Sequence, residues 1–539
     1  MGQPLSSITI VGGGTAGWLA AVYLRRACAE RIRITLIESP NIPTVGVGEA
    51  TVPQMPFTLR QIGLDERTFF RRCDATFKTG VMFRNWNTDR RGKLVSYLNP
   101  FSNAPSLDGV SIGNHFHAFG AGKRDYVSCY SPYAHMAKAF KGPFSFKDPK
   151  ADPMPKPAYA YHLNAVAFAK LLAEVGTERG IEHVLDDVDD VELDERGYVA
   201  ALQLRERGRH PVELVIDCTG FRGRIIREAL DEPFEDYSDY LGNDRAMALQ
   251  IPHTNPEKLP PFTSSTALGA GWSWSVPLFN RVGTGYVFSS AHRTDDEARD
   301  EFLAHLGAAA PPGSEPRVIP MRIGRSRRAW VKNCIAMGLS GGFIEPLEST
   351  AIHMIDQSIR MLLFNMPSTD YEAPVRRRFN RLVDDLYGEV RDFICLHYRM
   401  GNREDSAYWI DARTELKITD RLAENLELWQ YQLPTQHDLE SAQLFTHDTY
   451  QTVLFGKRCY ENGYGAERLN TPREVRAGSW KAYLRDADIR FAKIVDYKGD
   501  HHRLLMALRG ELEPGAARKT PAVVAARTGS CLKETPVLF

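Results

Sequence analysis

Residues 6–24 read SSITIVGGGTAGWLAAVYL, and this stretch decides the fold. Ile8, Ile10 and Val11 form a short β-branched run of the kind a buried parallel strand requires. Gly12-Gly13-Gly14-Thr15-Ala16-Gly17 then supplies a G-x-G-x-x-G turn, and Leu19, Val22 and Tyr23 mark one face of the helix that follows. Gly12 permits the tight turn, Gly14 lets the backbone approach a pyrophosphate, and Gly17 lets helix and strand pack closely. The start of the helix, near Thr15 and Ala16, offers unpaired N–H groups and a partial positive charge to phosphate oxygens.

A glycine turn alone is weak, but its surroundings strengthen it. A second apolar strand, Ile32 to Ile37, ends in Glu38, where a carboxylate can hold a ribose hydroxyl. An acid there disfavours a 2′-phosphate, so FAD is preferred over NADP. Gly46-Val-Gly48-Glu49-Ala50-Thr51-Val52-Pro53 has the glycine content of a loop that wraps a ligand, and Val215-Ile-Asp217-Cys218-Thr219-Gly220 reads as a strand returning to the nucleotide. The expected fold is α/β: an FAD-binding, Rossmann-like framework of the flavin monooxygenase type, with a largely helical C-terminal substrate region. Residues 1–375 are assigned to a discontinuous FAD-binding core, with cleft loops at about 95–160. Residues 376–512 form a mainly helical, substrate-covering region, and 513–539 a loosely ordered tail rich in Pro, Ala, Gly and Thr.

Composition narrows the function. A chain of 539 residues can bury a substantial core. Lys plus Arg and Asp plus Glu number 67 each, so no basic surface argues for a nucleic-acid partner. No apolar run approaches the ~20 residues of a membrane helix, and the N-terminus lacks a signal pattern. The eight cysteines are dispersed without a C-x-x-C pair, as expected of reduced thiols in a cytoplasmic protein. His115 and His117 lie close together without further ligands, so no metal site is expected.

Two features exceed what binding a dinucleotide needs. Lys78 lies in Phe77-Lys78-Thr79-Gly80-Val81-Met82-Phe83, and Trp272-Ser-Trp274-Ser-Val-Pro277 follows far downstream. Taken singly, the lysine reads as a solvated surface residue and the tryptophans as core aromatics. Together with the segment Gly341-Gly-Phe-Ile-Glu345-Pro346-Leu-Glu348-Ser349-Thr350-Ala351, they resemble the flavin-dependent halogenases of the tryptophan halogenase family. The resemblance runs over roughly residues 5 to 480.

That resemblance implies an FADH2-dependent halogenase. It would form hypohalous acid from O2 and chloride or bromide at the flavin, then pass it to a separate aromatic pocket. Gly12, Gly14, Thr15, Ala16, Gly17, Glu38, Gly48, Glu49 and Ala50 would hold the cofactor. Lys78 would hydrogen-bond the hypohalous acid or, as a neutral amine, form a haloamine; burial favours the neutral form. Glu348 would take the proton lost from the ring, and Ser349 would position substrate or lysine. Backbone N–H groups of Thr350 and Ala351 would bind halide at a helix start. The family usually has glycine at the Ala351 position, and alanine disfavours φ > 0 there. Glu345, the competing carboxylate, reads better as a helix-capping or loop-ordering acid. Trp272, Trp274 and Pro277 would form a wall on the flavin side.

The substrate residues follow less closely. His117 and Phe119 match a His-x-Phe that sandwiches an indole ring. Glu440, Leu444 and Phe445 are the nearest match to a recognition segment in which enzymes of free tryptophan carry a Tyr-Tyr pair and Phe-Trp; neither stands here. Because a free amino acid needs partners for both charges, indole or an indole derivative is favoured over tryptophan. The segment His397 to Trp409 reads as architecture. Without a second dinucleotide fingerprint, a separate NAD(P)H-dependent flavin reductase should deliver FADH2, and a homodimer is compatible with the resemblance. The alternatives are an FAD-dependent aromatic hydroxylase, a halogenase of a carrier-tethered aromatic substrate, and a flavin-binding protein without catalysis.

Overall fold

A computed structural model describes residues 2–42, 48–465 and 468–512. The Gly46–Val47 part of the ligand-wrapping loop and the tail 513–539 lie outside the described residues. The opening stretch forms strand Ser7–Val11 and helix Thr15–Cys28, as its spacing predicts. The strand sits inside a six-stranded sheet ordered Glu182–Leu185, Arg33–Glu38, Ser7–Val11, Leu214–Asp217, Cys334–Ala336, Trp330–Val331. Its first five strands are parallel, with Ile10 opposite both Leu36 and Ile216. Ile8, Ile10, Ile34 and Leu36 are fully buried, which is why the run carries no polar alternation.

A second sheet of seven strands is antiparallel except for one parallel pair, Thr263–Leu268 beside Gly80–Thr88. It carries Gly271–Pro277 at its centre and ends on Leu94–Pro100. A third, three-stranded sheet decides the site. Its middle strand, Ala160–Asn164, pairs with Gly48–Ala50 on one side and Thr76–Lys78 on the other. The end of the ligand-wrapping loop and the lysine strand are thereby fixed a strand apart.

Residues 95–160, expected as cleft loops, contain strand Leu94–Pro100 and short helices Ile112–His115, Tyr126–Tyr130 and Pro132–Lys138. Ser111, Asp125 and Ser131 cap those helices through their side chains, which offsets a composition poor in helix formers. From Ala351 on, the elements of the described residues are helices, with Ala373–Arg399 the longest. The proposed boundary at 375 falls in its first turn. Phe379, Val383, Leu386, Val390 and Phe393 from that helix join the same apolar cluster as Ile8 and Ile10, so the helical region shares the core of the sheets. Among the described residues no helix is long and apolar enough to cross a membrane.

Candidate active site

A cavity of about 640 Å³ opens at the C-terminal ends of the parallel strands, lined by Gly12 to Ala16, Glu38, Gly48 to Ala50, and Thr219 to Arg222. The glycines are there for measurable reasons. A Cβ on Gly12, whose φ is +120°, would lie 2.2 Å from the Cys218 carbonyl, and one on Gly17 would lie 1.9 Å from the Gly12 carbonyl. A Cβ on Gly14 would meet nothing within 4 Å, so Gly14 leaves bare backbone facing open space. That is the cradle a pyrophosphate fills. Glu38 folds over Gly13 and is held by His183 Nε2 at 2.9 Å. Asp217, fully buried, accepts from Thr219, Ser340 and the N–H groups of Ile225 and Ile226, which fixes the turn after its strand. Burial lifts Glu49 to about 7. The bare glycine backbone, the carboxylate beside it and the cavity size together fit FAD.

Lys78 lies in a different environment. It is fully buried, and its Nζ donates to the Thr51 carbonyl at 3.0 Å and sits 5.2 Å from the centre of the Phe101 ring. Burial lowers its ammonium from 10.5 to about 7, with Glu348 pulling the other way. The strand beneath it is pinned: Thr76 donates to the Pro277 carbonyl at 2.6 Å and accepts from His162, and the Phe77 N–H donates to His501. His162 and His501 are both held neutral by burial, so neither competes as an acid near Lys78.

The segment Glu345–Ala351 divides the two environments. Ser349, in the left-handed conformation at φ +64°, lines the cavity with Pro346, Leu347 and Ala351. Left-handed serine costs about 1–3 kcal/mol and is typical of functional loops. Glu348 turns the other way, where its Oε1 accepts from Asn99 Nδ2 at 3.0 Å and lies 3.2 Å from His397 Nε2. Thr350 stands at the N-terminal cap position of the helix Ala351–Phe364 without a side-chain cap bond, and its buried hydroxyl has no partner among the described residues. Together with the first-turn N–H groups, that hydroxyl makes a donor set suited to an anion. Ala351 is the first helical residue, not a left-handed one, so the φ > 0 objection to alanine falls away; the strained position is Ser349.

Trp272 and Trp274 both line the cavity, their rings 6.4 Å apart. Glu345 fixes the first: its Oε2 accepts from Trp272 Nε1 at 2.9 Å, Asn243 at 2.8 Å and Tyr398 at 2.9 Å. Burial pushes the Glu345 carboxyl up, and these three donors hold it back. Pro277 does not belong with the tryptophans at the cavity wall; its place in the strand turns its carbonyl toward Thr76, and Val276 lines the cavity instead.

His117 and Phe119 are the residues predicted to sandwich the ring. They sit in a short π-helical turn, Phe116–Gly120, where His117 meets Tyr460 edge-on at 5.8 Å and the Phe119 carbonyl accepts from Lys123. The ring over Lys78 is Phe101, two positions beyond Asn99, which binds Glu348. Asn99-Pro100-Phe101 went unnoticed in the sequence. Its signal is the period-2 spacing with Tyr97 on a strand paired to the lysine's neighbours. Glu440 is 83% exposed at its side chain and paired with Arg421, because Arg421 offers a solvent-side partner 2.8 Å away. Phe445 is buried and stacks on Phe393 with centres 3.9 Å apart, and the N–H groups of Gln443, Leu444 and Phe445 all converge on Glu389.

Comparison with known proteins gives a consistent picture. The family model described as tryptophan halogenase matches residues 7–467. The chain is 35% identical over 527 residues to the 7-chloro-L-tryptophan 6-halogenase KtzR of Kutzneria sp. (strain 744), covering 93% of this chain and 99% of that relative. The crystal structure of the tryptophan 6-halogenase SttH from Streptomyces toxytricini superposes with a TM-score of 0.87 at 33% identity, covering 94% of this chain and all of SttH. Tar14, a tryptophan C-6 flavin-dependent halogenase (chlorinase) from taromycin biosynthesis, superposes with a TM-score of 0.84 at 34% identity, covering 94% of this chain and 100% of that one.

Proposed function

This chain belongs to the tryptophan halogenase family, and we propose that it chlorinates or brominates an indole-type ring held between Lys78 and Glu348. Flavin-dependent halogenases use FADH2, O2 and halide, and typically take an aromatic substrate and a separate flavin reductase. Reduced FAD, when bound, supplies with O2 the oxidising power that turns halide into hypohalous acid. The backbone from Gly12 to Gly17 receives the pyrophosphate, Glu38 the ribose, and Gly48 to Ala50 close over the cofactor. The N–H groups of Thr350 and Ala351 hold the halide, and Trp272 and Trp274 keep the ring away from the flavin.

The observation that carries this reading is that Lys78 and Glu348 are both buried and near enough for the Glu348 charge to act on the Lys78 ammonium. Lys78, as ammonium, donates to the oxygen of hypohalous acid. The ring π electrons bond the halogen, the halogen–oxygen bond breaks, and the departing hydroxide takes the Nζ proton to become water. The ring C–H pair returns to the ring, and its proton passes to Glu348. Both of the oxygen contacts described above are to Oε1, so Oε2 is the oxygen free for that proton. Ser349, strained between the flavin cavity and the Lys78 side, keeps Glu348 turned toward the ring. Phe101, which already faces Lys78, offers a stacking surface. With Glu440 exposed and engaged by Arg421, no partner for a substrate ammonium is evident at that position, which favours indole or an indole derivative over free tryptophan.

The test is mass spectrometry of products from the purified protein with FAD, a flavin reductase, NADH and O2. Indole, tryptophan and a phenol are each offered with chloride, bromide or no halide. A halogen isotope pattern that needs both protein and halide, strongest with indole, is expected. Gain of one oxygen independent of halide would point to a hydroxylase, and a preference for tryptophan would overturn the indole assignment.

A further inference from the structure

His397 was legible in the sequence only as part of an architectural segment, yet its ring reaches the reacting carboxylate. It lies on the long helix Ala373–Arg399 and has no solvent exposure. Its Nδ1 is 2.9 Å from the Phe393 carbonyl, four residues back on the same helix. A carbonyl only accepts, so Nδ1 carries the hydrogen. In a neutral ring Nε2 would then present a lone pair, and Nε2 lies 3.2 Å from Glu348 Oε1 without a hydrogen bond to it or to another described residue. Two lone pairs held that close in a buried site repel, whereas a protonated Nε2 sets a cation beside the carboxylate.

We propose that His397 stands as the imidazolium counter-charge beside Glu348, the positioning residue that keeps Glu348 anionic toward the ring. The inference rests on the reading of Glu348 as the acceptor of the ring proton. The helix fixes the tautomer through Phe393, and the ring is clamped by Phe83 at 4.8 Å and Phe393 at 5.0 Å, with Trp86 edge-on at 6.1 Å. It therefore has little freedom to turn Nε2 elsewhere. Asn99 donates to the same Oε1, so one donor and the imidazole converge there and the carboxylate's basicity is directed through Oε2. Charged and titratable groups facing the pair from neighbouring strands are Lys78 and Tyr97; both feel the Glu348 charge. Tyr97 has a buried hydroxyl without a partner among the described residues and supplies no compensating cation. Lys78 is occupied with Thr51, which leaves the imidazolium as the counter-charge in contact with Glu348. During turnover the imidazolium keeps its proton, the ring proton arrives at Oε2, and it leaves to solvent or to Lys78, so no net proton is gained.

The experiment compares H397F and H397Q with the wild type for kcat, KM and the pH profile, using indole and a saturating supply of FADH2. Phenylalanine keeps the ring packing; glutamine can still donate to Oε1 but carries no charge. We expect H397F to lose about tenfold or more in kcat, with KM within about threefold and hypohalous acid formation, read by a free-hypohalite trap, unchanged. In both variants the acid limb of kcat moves to higher pH, because Glu348 loses its counter-charge; H397Q recovers part of kcat without moving the limb back. An acid limb that stays at its wild-type position in both variants would overturn the proposal, whatever happens to kcat. Should H397F fail to fold, the limb of H397Q decides alone. E348Q run alongside separates the two readings: a wild-type rate there would sink the role of Glu348 itself.

Discussion

The two halves of the site are built on opposite principles. The flavin side is made of backbone: glycines that bring the chain close, N–H groups at a helix start, and a carboxylate laid over Gly13. It is roomy and tolerates partial solvation. The Lys78 side is made of side chains with essentially no exposure, drawn from strands Thr76–Lys78 and Leu94–Pro100, the 345–350 segment and the helix Ala373–Arg399. Backbone donors bind an anion without titrating, whereas buried side chains have their protonation set by one another. Binding is thus assigned to groups that do not change state, and proton transfer to groups that do.

The sharpest way to break this division is Lys78→Ala. Halogenation should fall by about 10³-fold or more, while FAD affinity and hypohalous acid formation stay at wild-type level; product formation at the full rate would end the lysine mechanism. Gly14→Val attacks the other half. Nothing lies within 4 Å of a Cβ there, so the fold should survive, but the new side chain stands where the pyrophosphate goes. A loss of FAD affinity of about 10²-fold (nearly 3 kcal/mol) is expected by fluorescence titration, and unchanged affinity would show that the cofactor lies elsewhere in the cavity. Glu348→Gln should slow kcat by about 10²-fold with FAD affinity intact; if the rate is unaffected, Glu345 becomes the carboxylate to examine.

The smallest effect is on stability and runs opposite to activity. The folded-state pKa of Lys78 is depressed to about 7, so between about 7 and 10.5 the folded protein binds fewer protons than the unfolded chain. The burial penalty on the ammonium is therefore fully present below about pH 7 and is relieved as pH rises above it. Lys78→Met should raise Tm by several degrees at pH 6 and by less at pH 9, read by calorimetry, although it abolishes halogenation. In the wild type, halogenation should decline as pH rises through about 7, because the ammonium is the proton donor. A rate that climbs through the same range would favour a haloamine route instead.

Glu345 and Glu348 show how far the sequence could go. Three residues apart in one motif, they are chemically alike on paper, and the reading of Glu345 as a loop-ordering acid agrees with its three donors from Trp272, Asn243 and Tyr398. That those donors would be the wall tryptophan and two residues of distant segments was not legible. Nor was Asn99, 249 residues from Glu348 in the chain. His117 and Phe119 match a family spacing, and that spacing does not encode the packing of their turn, where His117 meets Tyr460 edge-on.

What the sequence determined by itself is the dinucleotide-binding framework and the family, because both are written in short contiguous runs whose physics is local: strand, glycine turn, helix start, acid at the next strand's end. What only the tertiary structure decided is the company Lys78 and Glu348 keep. Phe101 over the ammonium, Asn99 and His397 on the carboxylate, and Thr51 beneath the lysine are brought together by sheet pairing and helix packing. Burial, which sets the protonation of these groups, depends on contacts between segments far apart in the chain, and no local spacing encodes it.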